Sequence, residues 1–127
     1  MNITFDHVSL RVTDLDRSVA FYRDEFGLEL VSRRDNGSQA VFRIGESLLV
    51  LFCSSEYEAV SDDARSGADH VAFCLDPQSY DALFQRLKQN GRITREPTRN
   101  SGAHGQGLAI YFADPDGNPL EIKKYEG

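Results

Sequence analysis

The chain repeats itself. Asp6–Val12 reads DHVSLRV and Asp69–Leu75 reads DHVAFCL, in a chain of 127 residues. A repeat spanning about half the chain makes each copy one supersecondary unit, so the second half must fold like the first. The segments after the two copies agree in kind. In the first half, TDLDRSVAFYRDEFG has the helical spacing, with Leu15, Val19, Tyr22 and Phe26 on one face. Asp14 or Asp16 can cap its start, and Gly27 can end it. In the second half, DPQSYDALFQRLKQNG offers Asp76 as cap, Pro77 at the first helical position and Gly91 as stop. Its apolar face is Tyr80, Leu83, Phe84 and Leu87.

Strand-like segments come after each helix: LELVSRR, SQAVFRIG and SLLVLFC, then RITREPT, LAIYFAD and PLEIKKY. Each half is therefore strand, helix and three strands. The expected class is α+β: two tandem βαβββ modules within a single domain over 1–127. Module one covers about 1–54 and module two 69–127, joined by an acidic, polar linker over 55–68. The stretch Pro97–Gly107, rich in Gly and short polar residues, reads as a mobile loop.

Charge and cysteine content exclude some functions. The net charge is −6 and no Lys/Arg cluster occurs, which speaks against a nucleic-acid binder. The longest apolar run, Leu48–Cys53, is too short to span a bilayer, and Asp6, His7 and Arg11 do not suit a signal peptide. Cys53 and Cys74 lie outside any CxxC pair and read as buried, reduced thiols. A cytoplasmic protein without a membrane partner is expected.

Strand side chains alternate between faces. In the first strand Val8, Leu10 and Val12 oppose Phe5, His7, Ser9 and Arg11; in its repeat Val71, Phe73 and Leu75 oppose His70, Ala72 and Cys74. In the last two strands Ile110, Phe112, Leu120 and Ile122 take the core side. Ala109, Tyr111, Glu121, Lys123 and Tyr125 take the other. His7, His70, Tyr111 and Glu121 thus all project from the face away from the helices. If the two sheets curl around a shared space, two imidazoles and a carboxylate form a metal-ligand set with open positions. A metal ion would also compensate a carboxylate placed inside the apolar run PLEIKKY. The bland alternative is a pair of hydrogen-bonded strand histidines and a surface glutamate; the equivalence of the two histidines favours the metal.

Arg11 and Arg43 fall on the same phase as the histidines. Either binds a substrate carboxylate or phosphate as a fork, or they sit at strand ends in solvent. Arg99, Asn100 and Ser101 either close over substrate or are plain loop residues. Cys74 lies about 13 Å from His70 along the strand, too far to share a metal with it.

The pieces DHVSLRVTDLDRSVAFYRDEFGLEL, DHVAF and YFADPDGNPLEI resemble the vicinal oxygen chelate superfamily over nearly the whole chain. That superfamily holds glyoxalase I, methylmalonyl-CoA epimerase, fosfomycin- and bleomycin-resistance proteins and type I extradiol dioxygenases. The resemblance implies paired modules forming a cup of curved mixed sheet with the helices outside. It implies a divalent metal held by His7, His70 and Glu121. A homodimer is implied, as is a small-molecule substrate chelated through neighbouring oxygens. Matching Gly45 to Gly117 sets Leu49, which cannot ligate a metal, where glyoxalase I and the epimerase have a fourth ligand; Leu49 would line the substrate site instead.

Gly102, His104, Ile110, Tyr111, Asp114, Pro115, Gly117 and Glu121 also fill every fixed place of the ring-cleaving dioxygenase pattern. The resemblance makes His104 an acid/base residue and Tyr111 a hydrogen-bonding partner of a substrate hydroxyl. It makes Fe2+ the favoured ion over Mn2+, Ni2+ or Zn2+. The leading expectation is extradiol-type ring cleavage. The alternatives are a glyoxalase I-like lyase or isomerase, a fosfomycin-type thiol transferase, and a non-catalytic small-molecule or antibiotic binder.

Overall fold

A computed structural model describes residues 1–61 and 67–126. Part of the expected linker, 62–66, lies outside the described residues. The chain divides into two compact units, Met1–Val60 and Ser61–Gly127.

The first unit runs β1 (His7–Val12), α1 (Leu15–Val19), a π-helical turn (Ala20–Glu25), β2 (Glu29–Arg33), β3 (Gln39–Ile44) and β4 (Ser47–Cys53). The second runs β5 (Val71–Cys74), α2 (Pro77–Gln89), β6 (Ile93–Gly102), β7 (Gly105–Ala113) and β8 (Pro119–Tyr125). Each unit has a four-stranded mixed sheet, in the orders β1-β4-β3-β2 and β5-β8-β7-β6. The first strand of each runs parallel to the last, and the remaining pairs are antiparallel. The α+β class and the βαβββ order of both halves are as the repeat required.

In the first unit the cap is Asp14, whose side chain accepts from the Arg17 N–H at 3.1 Å. The helix does not run on as an α-helix. The Phe26 N–H donates to the Phe21 carbonyl at 2.8 Å, one residue further back than in an α-helix. The wider turn accompanies burial of two consecutive residues, Phe21 and Tyr22. The Tyr22 ring meets Phe21 at 5.0 Å, Phe42 of β3 at 5.7 Å and Phe26 at 6.3 Å. With Val12, Leu15, Val19, Ala40, Leu49 and Leu51 these rings form the core of the unit. Gly27 then leaves the helical path at φ +94°, which favours glycine.

In the second unit Tyr80, Leu83 and Leu87 of α2 are buried, as are Phe73, Ile110, Phe112, Leu120 and Ile122 of the sheet. Three expectations need correction. The stretch 97–107 is not a loop: β6 and β7 pair down to Gly102–Gly105, and Ala103 and His104 form the tip. Gly105 makes this possible by taking φ +100° after two residues of negative φ, a turn followed by a left-handed residue. The cysteines are free but not buried, Cys53 being half-buried and Cys74 exposed. Finally, Ala109, Glu121 and Lys123 are buried although they face away from the core side. Among the described residues no helix is long and apolar enough to cross a membrane.

Asp76 caps α2 by accepting from the Ser79 N–H at 3.0 Å. Hydrogen bonds from Ser79 hold its carboxyl below the ordinary 3.8. A lowered folded-state value means that the cap's contribution is complete above the unfolded value and is lost as pH falls through the folded one. Asp76→Ala should therefore melt lower than the wild type near neutral pH, and the gap should close in strong acid. Thermal melts followed by circular dichroism across that range check the sign.

Candidate functional site

Glu121 lies on β8, the strand between β5 and β7, so its neighbours come from both sides. It is 3% exposed, which obliges its carboxylate to find partners. Oε1 lies 2.8 Å from His70 Nε2, just before β5. Oε2 lies 3.5 Å from Lys123 Nζ, two residues on and on the same face. Tyr111 of β7 stands directly opposite Glu121.

The imidazole of His70 is oriented from behind. Its Nδ1 meets Asp69 Oδ1 at 2.7 Å. A neutral ring carries one N–H; donating it to Asp69 turns the Nε2 lone pair toward Glu121. Nitrogen lone pair and carboxylate then face each other at 2.8 Å, so a positive particle belongs between them, a proton or a metal ion. The carboxylate behind the histidine is the support that metal-binding imidazoles use. His7 has the same backing, with Nδ1 2.6 Å from Asp6 Oδ2. The Asp of both DHV copies was thus the overlooked signal, visible in the repeat itself.

Around this pair lies a second set of residues. The His70 and Tyr111 rings meet edge to face at 5.5 Å. The Arg95 guanidinium covers Tyr111 at 3.8 Å from the ring centre. Asn100 of β6 donates from Nδ2 to the Tyr111 hydroxyl at 2.8 Å. Lys123 Nζ donates to the Asn100 carbonyl at 3.3 Å and to its side-chain Oδ1. Burial and then the charge of Glu121 push the Tyr111 phenol above its ordinary 10.0, against the opposing pull of Asn100 and Arg95. Lys123 and Arg95 were not among the expected site residues, and Asn100 was weighed only as part of a loop that could close over substrate. The phase of Lys123 was readable, but its burial was not. Asn100 was hidden in a stretch that reads as a loop.

The remaining candidates lie elsewhere. His104, at the hairpin tip, is exposed and stacks edge-on against Tyr125 at 5.2 Å. Tyr125 is four residues along β8 from Glu121, about 13 Å, so His104 does not join the cluster. Arg11 is exposed, its guanidinium 5.1 Å from the Tyr57 ring centre. Arg43 is exposed beside its cross-strand partner Glu29. Leu49 is fully buried. It is also not the counterpart of Glu121. Val8 pairs with Leu49 as Val71 pairs with Leu120, so Val50 stands where the second unit has Glu121. From Tyr111 to its partner Glu121 the chain takes ten steps, and from Val41 to its partner Val50 nine, so matching the two turn glycines slips the register. Valine, like leucine, offers no metal ligand. Among the described residues no three His, Cys, Asp or Glu side chains gather so as to hold a metal ion by themselves. The second unit brings two of the expected ligands together, and the first carries His7.

Two βαβββ units, one with a histidine and the other with a histidine facing a buried carboxylate, describe a fold class and a kind of site. Residues 4–122 match the Glyoxalase/Bleomycin resistance protein/Dioxygenase superfamily, and the chain belongs to it. It is 32% identical over 119 residues to the glutathione transferase FosA of Serratia marcescens, covering 94% of this chain and 79% of that protein. It is 33% identical over 128 residues to the lactoylglutathione lyase GLX1 of Arabidopsis thaliana, covering 95% of this chain but 44% of that longer protein. Among solved structures, a glyoxalase/dioxygenase from Nostoc punctiforme superposes with a TM-score of 0.82 at 26% identity, covering 98% of this chain and 92% of that one. These relatives support an enzyme of the superfamily, and none of them singles out ring cleavage.

The turn that aligns Tyr111 with Glu121 depends on Asp114. Its Oδ1 accepts from the backbone N–H groups of Asp116 at 3.0 Å and Asn118 at 2.9 Å, and its Oδ2 from Asn118 Nδ2 at 2.9 Å. Asp114 is 4% exposed, so truncation leaves buried donors without these partners. Asp114→Ala should cost about 2–4 kcal/mol in denaturant unfolding. A loss below about 0.5 kcal/mol would mean that the turn holds without it.

Proposed function

We propose that the chain is a divalent-metal-dependent enzyme acting on a small substrate that chelates the ion through adjacent oxygens. The observation that carries this reading is the contact between Glu121 and His70 Nε2 at 2.8 Å, with Asp69 holding the other ring nitrogen. A buried carboxylate and an oriented imidazole lone pair fit a divalent ion. His70 and Glu121 would hold it, with His7 as third protein ligand, supplied by the first unit of the same chain or of a second copy in a homodimer. The ion would serve as a Lewis acid for the substrate oxygens. Tyr111, beside both ligands of the second unit, would hydrogen-bond a substrate oxygen.

Among reactions, the placement of His104 favours thiol chemistry over ring cleavage. The ring-cleaving pattern needs His104 as acid/base residue beside the ligands, and it lies at the far end of β8 against Tyr125. The two named relatives both carry glutathione in their activities. The substrate class we infer is accordingly a thiol adduct or a thiol-accepting electrophile with neighbouring oxygens. Under this reading Arg11 and Arg43 are solvent-facing strand residues.

Loading the protein separately with Fe2+, Mn2+, Ni2+ and Zn2+ and measuring metal per chain tests the proposal. One retained ion per chain is expected, lost in both His70→Ala and Glu121→Ala with the circular dichroism spectrum preserved. No retained ion in the wild type would make the protein a metal-free small-molecule binder. Oxygen uptake with a catechol by the Fe2+ form, abolished in His104→Ala, would restore ring cleavage.

A further inference from the structure

The four side chains beside His70 form a ring across three strands: Glu121 in ion-pair range of Lys123 on β8, Lys123 bonded to Asn100 on β6, Asn100 to Tyr111 on β7, and Tyr111 directly opposite Glu121. The direction of every hydrogen bond in it is set by one member. A lysine ammonium has three donors and no acceptor. Lys123 is 5% exposed, and its ammonium faces two oxygens of Asn100 and one of Glu121. The Asn100 amide must therefore turn its oxygen to Lys123, and its NH2 is left for Tyr111. The phenol oxygen then accepts from Asn100 Nδ2. Its own proton is left for the other side, where Glu121 stands opposite on β8. Ordinarily an asparagine's orientation and a hydroxyl's rotor are free choices; here the lysine fixes both.

We propose that Lys123 and Asn100 are positioning residues that lock the Tyr111 hydroxyl as a hydrogen-bond donor toward the Glu121 edge, so that the site selects ligands presenting an acceptor oxygen, an oxyanion or a carbonyl, rather than a hydroxyl that must donate. Neither residue touches the ligand. The first unit has no such ring. Val41 and Val50 stand where Tyr111 and Glu121 stand, and Phe52 takes the place of Lys123. The selection therefore belongs to the second unit alone. This inference rests on the reading of Glu121 as a metal ligand only for the ligand's location; the polarity of the ring does not depend on it.

The test uses the full chain in two arms. Without metal, the Asn100 side-chain amide signals in a 1H–15N spectrum should shift in both Tyr111→Phe and Lys123→Met; signals unmoved in either variant would overturn the ring. With Co2+ bound, oxalate serves as an anionic probe with adjacent oxygens. Asn100→Asp keeps the lysine contact but replaces the NH2 donor by an acceptor, forcing the Tyr111 proton away from Glu121. It should weaken oxalate binding about tenfold, the loss of one charge-assisted hydrogen bond, with Co2+ affinity and melting temperature unchanged. The loss should vanish in the Tyr111→Phe background. A loss that persists there would come from the added charge alone and overturn the proposal, as would wild-type oxalate affinity in Asn100→Asp. Failure of the wild type to take up Co2+ would sink the metal reading and leave the ring to be decided by the amide signals.

Discussion

A carboxylate buried between two strands must be paired, and the second unit is organised around that demand. Glu121 is almost fully buried, so the strands on either side supply neighbours: His70 from β5's edge of the sheet and Tyr111 from β7. Its own strand adds Lys123. Removing one partner of such a buried pair costs about 3–5 kcal/mol, because the charge left behind has nothing to face. Among the described residues no buried side-chain nitrogen or oxygen lacks a partner. The network is complete, and a complete network fixes its members in single orientations.

Duplication explains why such a site arises in one unit and not the other. Both units present an Asp–His pair at the start of their first strand, with the carboxylate behind the ring. They diverge on the last strand. Where β8 carries Glu121 and Lys123, β4 carries Val50 and Phe52. The first unit keeps an imidazole backed by Asp6 and 50% exposed in its side chain, with no carboxylate on its last strand to meet it. The second keeps an imidazole facing charge.

Much of this was legible in the sequence. The repeat gave the order of elements in both halves, because a unit that closes on one core in one copy closes the same way in the other. Alternation along β1, β5, β7 and β8 put His7, His70, Tyr111 and Glu121 on the face away from the helices. Asp76 and Gly91 marked the ends of α2. The failures were of another kind. The Gly-rich stretch 97–107 reads as a loop because its residues lack strand propensity, yet β7 holds it in register and the hairpin forms regardless. Leu49 was set opposite Glu121 because glycine spacing cannot count the one-residue difference between paired positions of the two hairpins, whereas the ladder of backbone hydrogen bonds can.

The sequence by itself determined the kind of fold and the face on which the candidate site residues lie, since both arise from periodicities of two and about four residues within single segments. Tertiary structure alone decided which groups meet. Pairing β6 with β7 and β7 with β8 carried Asn100 to Tyr111 and Lys123 to Asn100, residues 11 and 23 apart in the chain. It also left His104 against Tyr125, away from the carboxylate it was expected to join. Contacts between strands depend on register and on turn length. No local pattern encodes those, because they are settled only when the backbone hydrogen bonds of neighbouring strands are satisfied together.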